Sequence, residues 1–242
     1  MKKIIGRKPV LEALNSGQEI DRIIISFGQK GNIIDSIRVA AKKRKVKITQ
    51  LSPYKFKSYD KNQNTQGVVA IISDHKYWDA GDLIASAAQA DKPLLLVLDS
   101  IQDTHNLGAI LRTAESAGVA GVIITERNSA SINETVEKTS AGAVSHLRIA
   151  KAANLRSAME KIKEAGFWIV GTSLQGGKNY TEVDYSGATA IVMGNEEKGI
   201  RRLTAEQCDF LVKLPMKGKI QSLNVSVTAG IILYEVLRQR GA

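Results

Sequence analysis

Residues 213–230 read KLPMKGKIQSLNVSVTAG, and the fold turns on how this stretch is understood. It leaves an apolar strand ending at Leu214, turns through Pro215 and Gly218, and sets a polar QSLN directly before a long apolar helix. A plain connector needs only a turn residue and an N-cap, so the extra polar groups point to chemistry. In the helix that follows, Val225, Val227, Ile231, Ile232, Leu233, Tyr234, Val236 and Leu237 cover most of the circumference. Such a helix must be buried on more than one side, and in a chain this short a second subunit is the expected cover.

Strands of the same apolar kind recur upstream: PLLLVLD from Pro93, GVIIT from Gly121, FWIVGTS from Phe167, ATAIVMG from Ala188 and FLVKL from Phe210. Short continuous apolar runs are expected of strands covered on both faces, and helix-period segments at 107–117 and 155–164 lie between them. The fold class is therefore α/β with a mostly parallel sheet. Before it stands a smaller α/β unit with strands at RIIIS, VKIT and GVVAIIS and helices at 8–17 and 33–43. The expected division is residues 1–73, a small polar linker over 74–91 with a short helix at 82–88, and residues 92–242.

Charge separates the same two parts. The 242 residues carry a net charge of +10, but 15 Lys and Arg against 6 Asp and Glu lie within the first 75 residues, and 19 against 18 in the rest. A small unit that basic attracts polyanions by releasing condensed counterions, which makes RNA or DNA the expected partner. With 43% apolar residues the chain can build a real core, and one cysteine, Cys208, excludes an internal disulfide and a cysteine-pair zinc site. No apolar run approaches a membrane span, so a soluble cytoplasmic protein without membrane contact is expected.

Several chemistries lack their residues. No G-x-G-x-x-G follows the first strand of the larger part, so a dinucleotide fingerprint is missing. In GTSLQGGKN, five residues rather than four separate Gly171 from the Gly177 before Lys178, and Asn179 stands where a P-loop needs Ser or Thr. His75, His105 and His146 have no ligand spacing, so no metal is expected, and no Ser, His and acid set presents itself. Three polar loops remain, each after an apolar strand: DSIQDTHNLGAILRTAESAG, VMGNEEKGIRR and residues 213–230. Ligands of open α/β sheets bind outside the carboxyl ends of strands, so the three loops suggest one pocket. In the first, Leu107, Ile110, Leu111 and Ala114 form a helical stripe, Asn106 stands at an N-cap position, and Arg112 falls opposite the stripe behind the small Gly108 and Ala109.

The segments HNLGAILRTAESAG, VMGNEEKGIRR and LPMKGKIQSLNVSVTAGIILYE resemble the three motifs of the SpoU (TrmH-like) class of SPOUT RNA ribose 2′-O-methyltransferases. IIGRKPVLEAL and NTQGVVAII resemble the ribosomal-protein-like RNA-binding domain attached to one branch, similar to that methylating a 23S ribosomal RNA guanosine in the peptidyl-transferase centre. The resemblance implies a C-terminal trefoil knot, a homodimer formed through that domain, and S-adenosylmethionine as cofactor. By carry-over, Thr172, Gly194, Asn195, Leu214, Met216, Ser222 and Leu223 would hold the cofactor, and Asn106, Arg112, Glu196, Ser222 and Asn224 would form the catalytic set. Arg112 would act with an RNA phosphate, as base or as stabiliser. The rivals are the same chemistry on tRNA or another ribosomal site, and a non-catalytic RNA-binding or assembly factor.

Overall fold

The computed structural model describes residues 3–18, 20–44, 46–60, 64–72, 75–174, 176–195, 198–219 and 222–241. Two sheets form, each with its own helices, and contacts divide the chain into Met1–His75 with Ser131–Asn133, and Lys76–Ala130 with Glu134–Ala242.

The first unit runs β1 (Lys3–Ile5), α1 (Arg7–Asn15), β2 (Ile20–Ser26), α2 (Asn32–Lys43), β3 (Lys47–Leu51), α3 (Pro53–Phe56) and β4 (Val68–Ile72). Its strand order is β1-β4-β2-β3, with β4 antiparallel to both neighbours and β3 parallel to β2. Alternation puts Ile23, Ile25, Val68 and Ala70 on one face, where α1 covers them with Val10 and Leu14 and α2 with Ile34 and Ile37. Ile24, Val69 and Ile71 meet Phe56 of α3 on the other face. Cover on both faces is why β2 and β4 read as unbroken apolar runs.

The second unit contains α4 (Ala80–Ala87), β5 (Leu94–Asp99), α5 (Thr104–Ser116), β6 (Gly121–Thr125), α6 (Glu134–Thr139), β7 (Ile149–Ala152), α7 (Leu155–Glu164), β8 (Trp168–Thr172), β9 (Lys178–Asn179), β10 (Thr189–Gly194), α8 (Arg202–Ala205), β11 (Phe210–Lys213) and α9 (Val225–Arg240). Among the described residues the sheet order is β7-β6-β5-β10-β8-β11-β9, with every pairing parallel. Leu83 and Ile84 of α4 and Met159 and Ile162 of α7 close over Leu95, Val97, Ile123, Ile169 and Val192. The alternate residues Leu96, Leu98, Ile191 and Met193 are equally buried on the opposite face. At roughly 1.5–3 kcal/mol for each large apolar side chain withdrawn from water, these two layers dominate the stabilisation of the sheet.

The segment expected as a linker takes part in this core. Trp78 N donates to Ile149 O at 2.9 Å, and Leu83, Ile84 and Ala87 are buried. The helix starts at Ala80 rather than Asp82 because Asp79 is its N-cap, accepting from Gly81 N and Asp82 N. The helix lies close to the sheet where Leu83 packs on Gly121 of β6, at which a Cβ would stand 2.5 Å from Leu83 Cδ2. The described residues therefore change unit after His75. The strand β7, IAKA, is too short and too polar to stand out in the sequence and exists because it pairs with β6.

The terminal helix is not covered all round. Val225, Ala229, Ile232, Leu233 and Val236 are buried, whereas Val227 and Tyr234 are 50% and 54% exposed. No described helix is long and apolar enough to cross a membrane.

Candidate active site

The carboxyl ends of β8, β10 and β11 open into a cleft. Thr172 ends β8, Gly194 ends β10, and Leu214 follows β11. All seven residues that the family resemblance assigns to the cofactor, Thr172, Gly194, Asn195, Leu214, Met216, Ser222 and Leu223, line this cleft. Ser173, Leu174, Met193, Gly199, Val212, Val225 and Thr228 line it too and were not singled out in the sequence. Met193 and Val212 are buried strand residues, indistinguishable by pattern from the rest of the core. Leu174, Met216 and Leu223, 38–47% exposed, form an apolar lip.

Gly194 is required by sterics. A Cβ there would overlap the backbone of Gly199 and Ile200, which folds back because Asn195 and Gly199 exchange N–H···O bonds of 3.1 and 2.8 Å. The side chain of Asn195 reaches across to Ser100 O at 3.4 Å.

One residue that sequence reasoning missed organises this loop. Asp99, fully buried at the end of β5, accepts at Oδ1 from Arg201 Nε (2.7 Å) and Ser100 Oγ (3.0 Å). Its Oδ2 accepts from Thr204 Oγ1 (2.8 Å) and Arg201 N (3.2 Å). A buried carboxylate is tolerated only when its lone pairs are filled in this way. The effect is to tie the far side of the 195–200 loop to the strand beside β10. The signal available in the sequence was an aspartate closing an all-apolar strand. Cys208, after α8, donates to Thr204 O, and burial pushes its thiol up to about 12, which leaves it protonated and unsuited to nucleophilic chemistry.

The two asparagines of the motifs meet. Asn224 Nδ2 donates to Asn106 Oδ1 at 2.9 Å, while Asn224 Oδ1 caps α9 by accepting from Ser226 N at 2.8 Å. Asn106 is not itself a cap: Asp103 holds that position in α5, accepting from Asn106 N at 2.8 Å. The bond Asn106–Asn224 thus joins the start of α5 to the start of α9, adjacent to Ser222 and Leu223 of the cleft wall.

Arg112 lies on the exposed side of α5, and its guanidinium has no ion pair or hydrogen bond among the described residues. The small residue one turn before it does not clear its path. Gly108 is buried against α6, where a Cβ would stand 2.6 Å from Thr139 Cβ and 3.0 Å from Val136 O. Arg112 does not line the cleft, and Glu196 lies outside the described residues.

This arrangement is that of a parallel α/β unit with its cleft beyond the carboxyl ends of the strands, where such units bind ligands. The SpoU rRNA Methylase family model matches residues 93–234, and a model for RNA 2′-O ribose methyltransferase substrate binding matches residues 3–78. A Staphylococcus aureus protein named as a TrmH family tRNA/rRNA methyltransferase is 39% identical over 238 residues, 98% of this chain and 96% of that one. The crystal structure of an AdoMet-bound rRNA methyltransferase from Sinorhizobium meliloti covers 98% of this chain and 86% of its own at TM-score 0.64 and 26% identity. The A. aeolicus TrmH/SpoU tRNA modifying enzyme covers 67% of this chain and 82% of its own at TM-score 0.58 and 36% identity. The chain belongs to the SpoU family, and is an S-adenosylmethionine-dependent RNA 2′-O-methyltransferase. The residues present fit that cofactor: the cleft has an apolar lip for a flat ring, and Thr172 and Ser222 in its lining supply polar groups for the rest.

Proposed function

We propose that the protein methylates a ribose 2′-hydroxyl of ribosomal RNA, with a guanosine in the peptidyl-transferase centre of 23S RNA as its target. The carrying observation is the convergence of six motif residues and Thr172 on one cleft, with Asn106 and Asn224 hydrogen-bonded beside it. In this reading the backbone at Gly194, Leu214 and Leu223 holds the cofactor, with Thr172, Asn195, Met216 and Ser222 supplying side-chain contacts. When bound, S-adenosylmethionine supplies an electrophilic methyl group. The protein's own task is to bring a ribose oxygen into line and to favour loss of its proton. Arg112 is the group for this. A guanidinium, with a pKa of roughly 12.5–13.8, is a poor base but a good fork for a phosphate and a good neutraliser of a developing alkoxide. Asn106 and Asn224 orient the ribose, Ser222 stands in the cleft wall two residues before Asn224, and Glu196 belongs to the set by its place in the second motif.

Arg112 is exposed and does not line its own cleft, so the reading includes a homodimer in which Arg112 serves the partner's cleft. The half-exposed Val227 and Tyr234 of α9 support it, since such a face is stabilised by a second copy. The reading also includes the C-terminal trefoil knot that the sequence motifs imply, and the bond from Asn224 to Asn106 supports it by bringing the start of α9 back to α5. The basic first unit then supplies RNA affinity and target choice.

The test is methyl transfer from labelled cofactor to 23S RNA transcripts, with the modified ribose mapped by reverse-transcription stops. Arg112→Ala is expected to abolish transfer while calorimetry shows unchanged cofactor affinity. Full turnover by Arg112→Ala, or a methyl group on a base, sinks the proposal.

A further inference from the structure

The first unit displays two aromatic rings that its core does not use. Phe27 is 69% exposed and Tyr54 84% exposed. They share one end of the sheet: β2 and β3 are parallel, Ser26 is registered with Leu51, and Phe27 N donates to Leu51 O at 2.7 Å. The loops leaving the two strands therefore begin side by side.

The backbone beneath each ring is pinned. The guanidinium of Arg7 donates to Gln29 Oε1, to Lys30 O at 3.4 Å and to Gln66 O at 3.1 Å, fixing the loop that carries Phe27. Tyr54 stands in α3, which Ser52 caps, Pro53 starts and buried Phe56 anchors. Three lysines are among the exposed neighbours, Lys30, Lys55 and Lys57, with the small polar Ser52 and Ser58 and one acid, Asp60.

A single exposed apolar residue is ordinary. Two pinned aromatic faces among lysines are not an ordinary surface, nor do they form a protein-docking patch, where aromatic anchors sit within an apolar surround. Flat faces beside cations match an unpaired nucleic acid, whose bases stack on rings while its phosphates meet ammonium groups. We propose that Phe27 and Tyr54 form a stacking platform for unpaired bases of the RNA substrate, with Lys30, Lys55 and Lys57 on the adjoining phosphates. The proposal deepens the functional reading above and rests on this unit binding the RNA.

The experiment uses the full chain without cofactor and a fluorescein-labelled, unpaired RNA oligonucleotide carrying 2-aminopurine. Phe27→Ala with Tyr54→Ala is expected to weaken binding about 10- to 100-fold and to lose the quenching of 2-aminopurine. The slope of log affinity against log salt stays the same, since no phosphate contact is lost. Lys55→Gln with Lys57→Gln lowers that slope by about 0.7 per lysine. A leucine pair at positions 27 and 54 keeps apolar bulk without a π-face and is expected to bind as poorly as the alanine pair; Phe27→Trp with Tyr54→Phe binds like the wild type. Unchanged affinity in the alanine pair overturns the proposal, as does rescue by leucine. A changed sedimentation mass with RNA affinity intact assigns the rings to a protein contact and overturns it equally. Because binding is read without methyl transfer, failure of the enzymatic proposal would appear separately, as absent turnover in the wild type.

Discussion

Asp99 shows how one residue outside the motifs positions those within them. Its carboxylate accepts four hydrogen bonds, three of them from Arg201 and Thr204 beyond the cofactor loop. Asparagine keeps the shape but removes the charge and turns an amino group toward donors. A hydrogen bond to a charged group contributes about 1.5–3 kcal/mol, and about 1 kcal/mol moves Tm by about 2–4 °C in a domain of this size. Asp99→Asn is therefore predicted to lower Tm by about 3–10 °C and to raise KM for the cofactor about tenfold, with a smaller fall in kcat. Equal losses in KM and kcat, or none, would refute a positioning role. The motif residues themselves were legible because their polar types break an apolar pattern. Asp99 was not, since an aspartate ending a strand looks the same whether it faces water or four donors.

At the scale of elements, α9 carries the most information. Glu235 is 7% exposed on its buried side, held by Arg238 Nε and Nη2 at 2.8 Å each and by Gln239 at 2.8 Å. The hydrogen bonds from Arg238, more than any other group, hold its carboxyl below the usual carboxylate range. A depressed carboxyl stabilises the fold above its unfolded pKa, and the contribution is lost as pH falls through the folded value. Tm is predicted to fall on acidification below about pH 4.5, and Glu235→Gln is predicted to be less stable at neutral pH while losing this part of the acid decline. An unchanged acid limb in the variant would assign the decline to other carboxylates. The helix is fastened at its far end by Arg240, which donates to Tyr185 O, Lys92 O and Gly187 O at 2.9, 2.6 and 2.8 Å. Its apolar residues were readable in sequence. Which of them faced inward was not, because a helix apolar on most sides has no single stripe to orient it.

For the whole molecule, charge and the outer face of α9 give two predictions. Val227 and Tyr234 lie seven residues apart on that face, so Val227→Glu with Tyr234→Glu places two carboxylates where a second copy is proposed to sit. Sedimentation is expected to show a monomer and methyl transfer to fall at least about tenfold, as desolvated like charges oppose association. A dimer of undiminished activity would refute the shared site. RNA affinity of the intact chain is expected to fall steeply with ionic strength, and neutralising lysines of the first unit should lower the salt slope more than neutralising the same number in the second.

The sequence by itself determined the α/β class, the two-part organisation, the concentration of positive charge in the first part and a set of residues that line one cleft. Each of these is written in local patterns: buried-type strands, charge along the chain, and polar residues following strand ends. Tertiary structure alone decided that 76–91 belongs to the larger core, that Gly108 serves helix packing, that Asp103 rather than Asn106 caps α5, and that Asp99 clamps the cofactor loop. Those facts depend on what a residue meets across tens of positions of chain, and only the folded sheet brings such partners together.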